Sequence, residues 1–272
     1  MSNAVLVRAV KTVAEGADRL RSDRSGVVVL LYHRVGAGTG VQVDLPVDLF
    51  TRQMEVLAQS GRVVTLDQAL AVLAGTAPSP TFDPVVVTFD DGTADFADVA
   101  VPIMADHAIP STLYLATDFV ERATPFPNQG TPLSWSAVID VMATGLVSVG
   151  SHTHTHVLLD RADIACVEDE LDRSVGLIED RLACPAQHFA YPKAVLGSPS
   201  AEVAVRRRFR SAALAGTRPN PYGRTDPHRL RRSAIQVADG MRWFNRKLEG
   251  GMALEDLLRR VANRRRYAGA VN

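Results

Sequence analysis

Residues 85–92 read VVVTFDDG, an apolar run that ends abruptly in two adjacent aspartates and a glycine. The run is rich in β-branched residues, which is typical of a strand buried on both faces in a parallel sheet. Two carboxylates at its end repel each other and are costly to bury unless something offsets their charge. The stretch therefore predicts a buried strand that ends in a functional pair, Asp90 and Asp91.

Short apolar runs recur along the chain and alternate with helical patterns. We predict strands at residues 27–33, 62–66, 85–89, 112–116, 146–150, 188–192 and 211–215. Such alternation is typical of βαβ units and a parallel sheet. The predicted fold is α/β, a distorted (β/α) barrel of about seven strands, with an open doubly wound sheet as the alternative. Neither GxGxxG nor GxxxxGK[ST] follows a predicted strand, which argues against nucleotide binding through those loops.

Length and composition indicate one ordinary globular domain. The chain has 272 residues, of which 46% are hydrophobic, and its 30 basic and 30 acidic residues cancel. We predict a single domain over residues 1–272, with an N-terminal helix at about 3–22 and a C-terminal helical extension at about 240–266. The neutral balance gives no electrostatic case for nucleic acid as a partner.

The location in the cell is inferred from what the chain lacks. Its first residues, MSNAVLVRAVKTVAEGADRL, have no apolar signal-peptide core, and no stretch has the apolar length of a membrane span. We expect a cytoplasmic protein, at most peripheral to the inner membrane face. Basic segments at 206–210, 228–232 and 259–266 are first interpreted as solvated helix faces, and secondly as weak contacts with an anionic membrane surface.

Polar clusters follow three of the predicted strands. Asp90 and Asp91 follow VVVTF, the run SHTHTH (151–156) follows LVSVG, and Tyr32-His33 follows VVVLL. The carboxyl ends of parallel barrel strands converge on one mouth, so these clusters become neighbours. Carboxylates and imidazoles together suit a divalent metal of the zinc or cobalt type. Adjacent residues point in different directions, so one aspartate can bind the metal while the other accepts a proton from its water.

Three motifs carry a resemblance to a known family. TFDDG (88–92), HTHTH (152–156) and AYPKA (190–194) are similar, in order, to the motifs of the polysaccharide deacetylases, carbohydrate esterase family 4. LLYHRV (30–35) resembles the subgroup that includes poly-N-acetylglucosamine deacetylases, which has a first-strand Tyr-His. The likeness covers most of the chain. It implies a distorted (β/α) barrel and metal-dependent hydrolysis of an N-acetyl group on a sugar.

The resemblance also implies roles for individual residues. Asp90 corresponds to the general base and His33 to the catalytic acid. Asp91, His152 and His156 correspond to the ligands of a divalent metal, zinc first and cobalt, nickel or manganese as alternatives. The candidate substrate and oxyanion residues are Tyr191, Pro192, Lys193 and Trp135.

This chain departs from the family pattern in the third motif and in the late motif; in the third motif, Lys193 and Ala194 stand where the family often has tyrosine and glycine. Ala190 stands where the third motif usually has the arginine that orients the catalytic aspartate, and the late motif with its histidine is not evident. Arg231 and Arg232 fit either a substrate contact or a salt-bridged surface. His33 and Trp135 also fit ordinary core positions, and Lys193 also fits a solvent-exposed loop.

The sequence thus predicts a metal-dependent hydrolase that removes an N-acetyl group from a sugar, glycan or glycolipid. Two alternatives remain: the same metal site could cleave another carbon–nitrogen amide or an ester, or the domain could bind without catalysis. The oligomeric state is not indicated.

Overall fold

The computed structural model describes residues 3–18, 25–78 and 80–257. The strands are β1 Val28–Tyr32, β2 Arg34–Val35, β3 Asp44–Leu45, β4 Val85–Asp91, β5 Ser111–Leu115, β6 Val147–Ser151, β7 His188–Ala190, β8 Ser211–Ala215 and β9 Leu230–Ala234. The α-helices are α1 Asn3–Asp18, α2 Val47–Ser60, α3 Leu66–Leu73, α4 Val101–Asp106, α5 Thr117–Glu121, α6 Trp135–Ala143, α7 Ile164–Leu182, α8 Pro199–Arg208 and α9 Gly240–Leu248. A π-helical turn, Phe96–Ala100, leads into α4.

Seven parallel strands close into a barrel, in the order β1, β4, β5, β6, β7, β8, β9. The barrel closes where β9 pairs with β1, through Leu30 opposite Ser233 and Leu31 opposite Ala234. The predicted (β/α) barrel is confirmed, and the open doubly wound alternative is wrong. Strands β2 and β3 form a separate two-stranded sheet.

The predicted strand count is right, but one of its members is wrong. Residues 62–66 contribute only a single bridge, Val63 with Val85, and do not form a barrel strand. The seventh strand is β9, which the sequence analysis did not identify because Arg231 and Arg232 interrupt its apolar pattern. Arg232 nevertheless lies fully buried. A strand that carries a buried ion pair can therefore be missed when strands are predicted from hydrophobicity.

Strand β4 shows how the barrel positions its polar end. Val85, Val87 and Phe89 belong to the apolar layer between strands and helices. Val86 belongs to a second apolar cluster, and Thr88 and Asp90 share its side of the strand, because side chains alternate along a strand. Asp90 therefore points into the barrel at its carboxyl end.

A buried ionic cluster joins the N-terminal helix to the last part of the described chain. Lys11 Nζ on α1 lies 2.6 Å from Asp239 Oδ1 and 2.5 Å from Glu255 Oε1. Lys247 Nζ on α9 lies 2.8 Å from the other oxygen of Asp239. Two lysines share one fully buried aspartate, so the helix is attached by charge as well as by packing. Residues 19–22 of the predicted N-terminal helix and residues 258–266 of the predicted extension lie outside the described residues.

Asp239→Asn is expected to destabilise the fold by about 3–5 kcal/mol, because it leaves buried lysine charges uncompensated. Burial alone would raise the pKa of Asp239, but Lys247 and Lys11 outweigh it and lower that pKa. The stabilisation is therefore present above the ordinary value of 3.8 and is lost as the pH falls through the lower folded value. Urea unfolding at neutral pH measures the effect. Asp48→Asn, which breaks an exposed pair with Arg52, is the control and should change little; equal effects would contradict the prediction.

The basic segment 206–210 is occupied by ion pairs on the surface. The pairs are Arg206 with Asp226, Arg207 with Glu168, Arg208 with Glu168 and Asp172, and Arg210 with Asp67. This supports the interpretation as a solvated helix face. Segment 259–266 lies outside the described residues. Among the helices that the structure describes, none is both long enough and apolar enough to cross a membrane.

Candidate active site

The carboxyl ends of β4 and β6 bring three predicted residues together. Asp91 Oδ1 lies 3.7 Å from His152 Nε2 and 3.5 Å from His156 Nε2. All three ligand atoms lie within 4.8 Å of one another. The separations are too long for good hydrogen bonds, but they are close to the roughly 3.3 Å between ligands on one tetrahedral ion with bonds of about 2.0 Å. One carboxylate and two imidazoles therefore fit a divalent metal.

The ring of His152 is oriented by a backbone carbonyl on the neighbouring strand. Its Nδ1 lies 2.7 Å from the Ala190 carbonyl oxygen, at the end of β7. A carbonyl only accepts hydrogen bonds, so Nδ1 is the donor, and in a neutral ring Nε2 is then the nitrogen that carries the lone pair. This is the arrangement in which histidines bind metals. Ala190 thus contributes through its backbone to the position of a candidate ligand.

The shape of the 151–156 loop depends on a buried glutamate from α7. Glu170 Oε2 accepts hydrogen bonds from the backbone N–H groups of His154 and Thr155, at 2.9 and 2.8 Å. Thr153 and His156 both adopt left-handed backbone conformations, with φ of 64°. Glu170 therefore holds a tightly turned loop that brings His156 back to the mouth. In the sequence, Glu170 falls among the buried positions of the amphipathic helix α7. An acidic residue at such a position is the signal that could have identified it.

The ring of His154 faces away from the other two histidines. Its Nδ1 lies 2.9 Å from Thr117 Oγ1, and its Nε2 lies 3.2 Å from Asp118 Oδ1 on α5. The central histidine of HTHTH therefore joins the loop to α5, while the first and third converge on Asp91.

Asp90 forms a bidentate ion pair with Arg232 inside the barrel. Arg232 Nη1 and Nη2 donate to the two carboxylate oxygens at 2.6 and 2.8 Å, and the guanidinium lies 5.2 Å from the centre of the Tyr114 ring. Burial alone would raise the pKa of Asp90, but Arg232 and then His152 outweigh it and lower that pKa. Asp90 is therefore ionised at neutral pH, with both oxygens fixed in orientation. The sequence analysis left the role of Arg232 open, and the structure places it on the carboxylate.

The protonation states of Asp91 and His156 are those that metal binding requires. Burial alone would raise the pKa of Asp91, but His156, His33 and His152 hold it well below its usual range. Burial, and then His152, lower the pKa of His156 to about 3. At neutral pH the carboxylate is charged and this imidazole is neutral, so both can act as ligands.

His33 lies within electrostatic reach of both aspartates. Burial lowers its pKa, and the charges of Asp91 and Asp90 oppose this only in part. Its Nδ1 is buried without a hydrogen-bond partner among the described residues. The alternative of a core histidine bonded to the backbone therefore lacks the expected bond at Nδ1.

The AYPKA segment divides between the core and the mouth. The Tyr191 side chain is 1% exposed and packs edge-on against Phe189, with ring centroids 5.0 Å apart. Burial, and then the charge of Glu202 on α8, raise the pKa of its hydroxyl. Lys193 is exposed, and its charge lowers the pKa of both Asp91 and His156. The segment can therefore act on a substrate through Lys193 and its backbone, and not through the Tyr191 phenol.

Trp135 occupies the start of α6. Its indole N–H donates to Glu121 Oε2 at 2.7 Å, and its half-buried ring packs against the core. These contacts agree with the core alternative. Stacking of the ring on a sugar stays a prediction.

The polysaccharide deacetylase family model matches residues 78–210, a range that includes Asp90, Asp91 and the 151–156 loop. These residues are similar to a polysaccharide deacetylase domain. This similarity indicates a hydrolase that acts on amide bonds of sugars. No curated protein sequence matches the chain significantly.

Solved structures support the deacetylase fold over most of the chain. IcaB from Ammonifex degensii is 25% identical with a TM-score of 0.70, covering 81% of this chain and 97% of that one. The deacetylase PplD of Streptococcus pyogenes is 19% identical with a TM-score of 0.68, covering 87% and 98%. A de-N-acetylase from Aggregatibacter actinomycetemcomitans is 19% identical with a TM-score of 0.68, covering 81% and 99%. The last two show similarity of fold alone.

The candidate site extends beyond the part matched by the family model. His33 follows β1 and Arg232 belongs to β9, and both lie outside residues 78–210. Barrel closure between β1 and β9 brings these two strands together. Arg232 binds the Asp90 carboxylate. This is the group that the family's third-motif arginine, replaced here by Ala190, is expected to orient.

Proposed function

We propose that this protein removes an N-acetyl group from a sugar, glycan or glycolipid in a reaction that depends on a divalent metal. The observation that best supports this proposal is that Asp91, His152 and His156 converge beside an ionised Asp90 that is bound by Arg232. Zinc is the first candidate for this donor set, and cobalt, nickel and manganese are alternatives. When bound, such an ion polarises the acetyl carbonyl and lowers the pKa of a water molecule.

Asp90 is proposed to accept the proton of the attacking water. Its pKa is held low, so it is ionised before the reaction begins. The two hydrogen bonds from Arg232 keep the carboxylate in one orientation, which favours proton transfer because general bases depend on geometry. Arg232, which is fully buried, thus orients the base.

The developing oxyanion is proposed to lie beside the backbone of the AYPKA segment. Pro192 has no N–H, and the Ala194 N–H already donates to the Tyr191 carbonyl at 2.8 Å. The Lys193 N–H and ammonium are therefore the candidates in this segment. A positive charge near the oxyanion lowers the energy of the transition state.

His33 is proposed to give a proton to the leaving amine. Its pKa lies below the ordinary value, so it is mostly neutral at neutral pH and takes up a proton from solvent before it can act, while Asp90 returns the proton it accepted to solvent after the reaction. The two aspartates favour its charged form. Proton uptake by Asp90 and proton release by His33 together convert water and amide into acetate and amine.

Release of acetate from N-acetylglucosamine oligomers, with and without added zinc or cobalt, tests the proposal. Metal-dependent acetate release supports it. A panel of aryl esters and small amides separates the alternative bonds, and activity confined to those would move the assignment to another amidase or an esterase. A metal-loaded protein that binds sugar without any hydrolysis would favour the binding-domain alternative. Cytoplasmic location and membrane contact stay predictions.

His33→Ala is expected to retain the metal and to lower turnover on an N-acetyl sugar by about 100-fold, the usual scale for a lost general acid. Hydrolysis of 4-nitrophenyl acetate should fall far less, because nitrophenolate leaves without a proton. Turnover on both substrates and metal content per chain are the measurements. His228→Ala is the control, since the Nε2 atom of His228 is hydrogen-bonded to the Phe209 carbonyl oxygen. Equal losses on the two substrates would refute the acid role, and loss of metal would place His33 among the ligands.

A further inference from the structure

The loop at residues 124–132, here called the rim loop, is fastened directly behind the aspartate pair. The Ala94 N–H donates to the Thr131 carbonyl at 2.8 Å, and the Leu133 N–H donates to the Gly92 carbonyl at 2.9 Å. Gly92 is the residue after Asp91. The C-terminal end of the rim loop is therefore tied to the mouth of the barrel next to the site.

Arg34 fastens the tip of the same loop from the other side. It follows His33 in the chain, and its Nη2 and Nη1 donate to the carbonyls of Pro127 and Asn128 at 2.7 and 3.1 Å. Gly130 makes room for the guanidinium, because a Cβ at that position would lie 2.4 Å from Arg34 Nη2. The two segments that carry His33 and Asp91 thus both hold the rim loop.

The environment of Arg34 indicates that its charge is there to hold this loop. The residue is 4% exposed, and within the described ranges its guanidinium contacts backbone carbonyls and lies at ion-pair distance from no carboxylate. A buried cation is costly unless hydrogen bonds compensate it, and here two carbonyls of one loop supply them. Asn128 and Gln129 have φ of 57° and 58°, a left-handed conformation that non-glycine residues rarely adopt. Arg34 therefore holds the loop tip in a conformation it would not favour alone.

Packing beneath the tip makes the rim loop a fixed wall. Phe126 is 4% exposed, and its ring stacks on that of Phe119 at 4.3 Å between centroids. Phe126 and Gly130 also exchange backbone hydrogen bonds across the base of the tip, at 2.8 and 3.2 Å. Asn128 and Gln129 remain exposed above this base.

We propose that Arg34 is a positioning residue that holds the rim loop as a preformed wall, and that Asn128 and Gln129 bind a sugar unit next to the one that is deacetylated. The inference rests on the proposed function and deepens it. Carboxamides both donate and accept hydrogen bonds, so they match the hydroxyl and acetamido groups of an N-acetylated glycan.

The test uses two variants of the full chain loaded with zinc, Arg34→Met and the double variant Asn128→Ala with Gln129→Ala. The probes are an N-acetylglucosamine pentamer and 4-nitrophenyl acetate, which is too small to reach a neighbouring sugar position. We expect KM for the pentamer to rise about tenfold in both variants, the effect of one or two lost hydrogen bonds. The kcat on the ester should be unchanged. Arg52→Met, at an exposed position on α2, is the matched control.

Three outcomes would overturn the inference. An unchanged KM for the pentamer in the double variant would remove the sugar-binding role of the loop tip. Loss of ester hydrolysis or of zinc in Arg34→Met, beside a normal double variant, would make Arg34 a residue that only maintains the fold. If the unmodified protein hydrolysed the ester but released no acetate from the pentamer, the proposed function would itself fail, and this inference with it.

Discussion

Asp90→Asn is expected to retain the metal and to lose turnover by about 10²–10⁴-fold, the contribution of a positioned general base. The asparagine keeps the size of the side chain but cannot accept a proton at neutral pH. The candidate ligand atoms belong to Asp91, His152 and His156, so the donor set is untouched. Acetate release, together with zinc per chain, measures the two effects separately.

The variant also removes the buried charge that compensates Arg232, so its fold has to be compared with that of the unmodified protein. Thermal unfolding and circular dichroism of the zinc-loaded protein make that comparison. Asp98→Asn serves as the control, because this aspartate lies exposed on the π-helical turn after β4. Near-normal turnover in a folded, zinc-loaded Asp90→Asn protein would show that another group accepts the proton.

The part of the site that could be predicted from sequence is the part that is local in sequence. VVVTFDDG is a buried strand with its carboxylates at the end, and SHTHTH follows a second strand of the same kind. Barrel topology then requires these ends to meet, so a pattern of short motifs was enough to bring Asp91 near His152 and His156. The distances between them agree with that expectation.

The part that could not be predicted depends on contacts between distant segments. Arg232 lies 142 positions from Asp90, in a strand whose arginines hid it from a hydrophobicity pattern. By sequence, Glu170 is one of several acidic residues on α7, and only its contacts show that its carboxylate holds the histidine loop. The motif predicts Tyr191 at the site, but strand alternation turns its side chain into the core. A motif locates a backbone segment more reliably than it locates each side chain.

His152→Ala and Asp91→Ala are each expected to lose zinc and activity together. Each removes one of three ligand atoms that lie within 4.8 Å of one another. Even the loss of a residue that only orients a ligand typically weakens metal binding about 10–100-fold, so loss of a ligand should exceed that range. Competition with a zinc chelator measures the affinity, and acetate release measures the activity.

The comparison with Asp90→Asn gives the two adjacent aspartates different and separable roles. If Asp91 holds the metal and Asp90 accepts a proton, zinc affinity falls in Asp91→Ala but not in Asp90→Asn, while turnover falls in both variants. His107→Ala, at the end of α4, is the control for loss of a histidine far from the barrel mouth. Because added zinc raises the occupancy of a weakened site, high zinc should restore part of the activity of His152→Ala and none of that of Asp90→Asn. Full zinc affinity in His152→Ala would contradict the proposed metal centre, since its Nε2 is oriented towards Asp91 by the bond to Ala190.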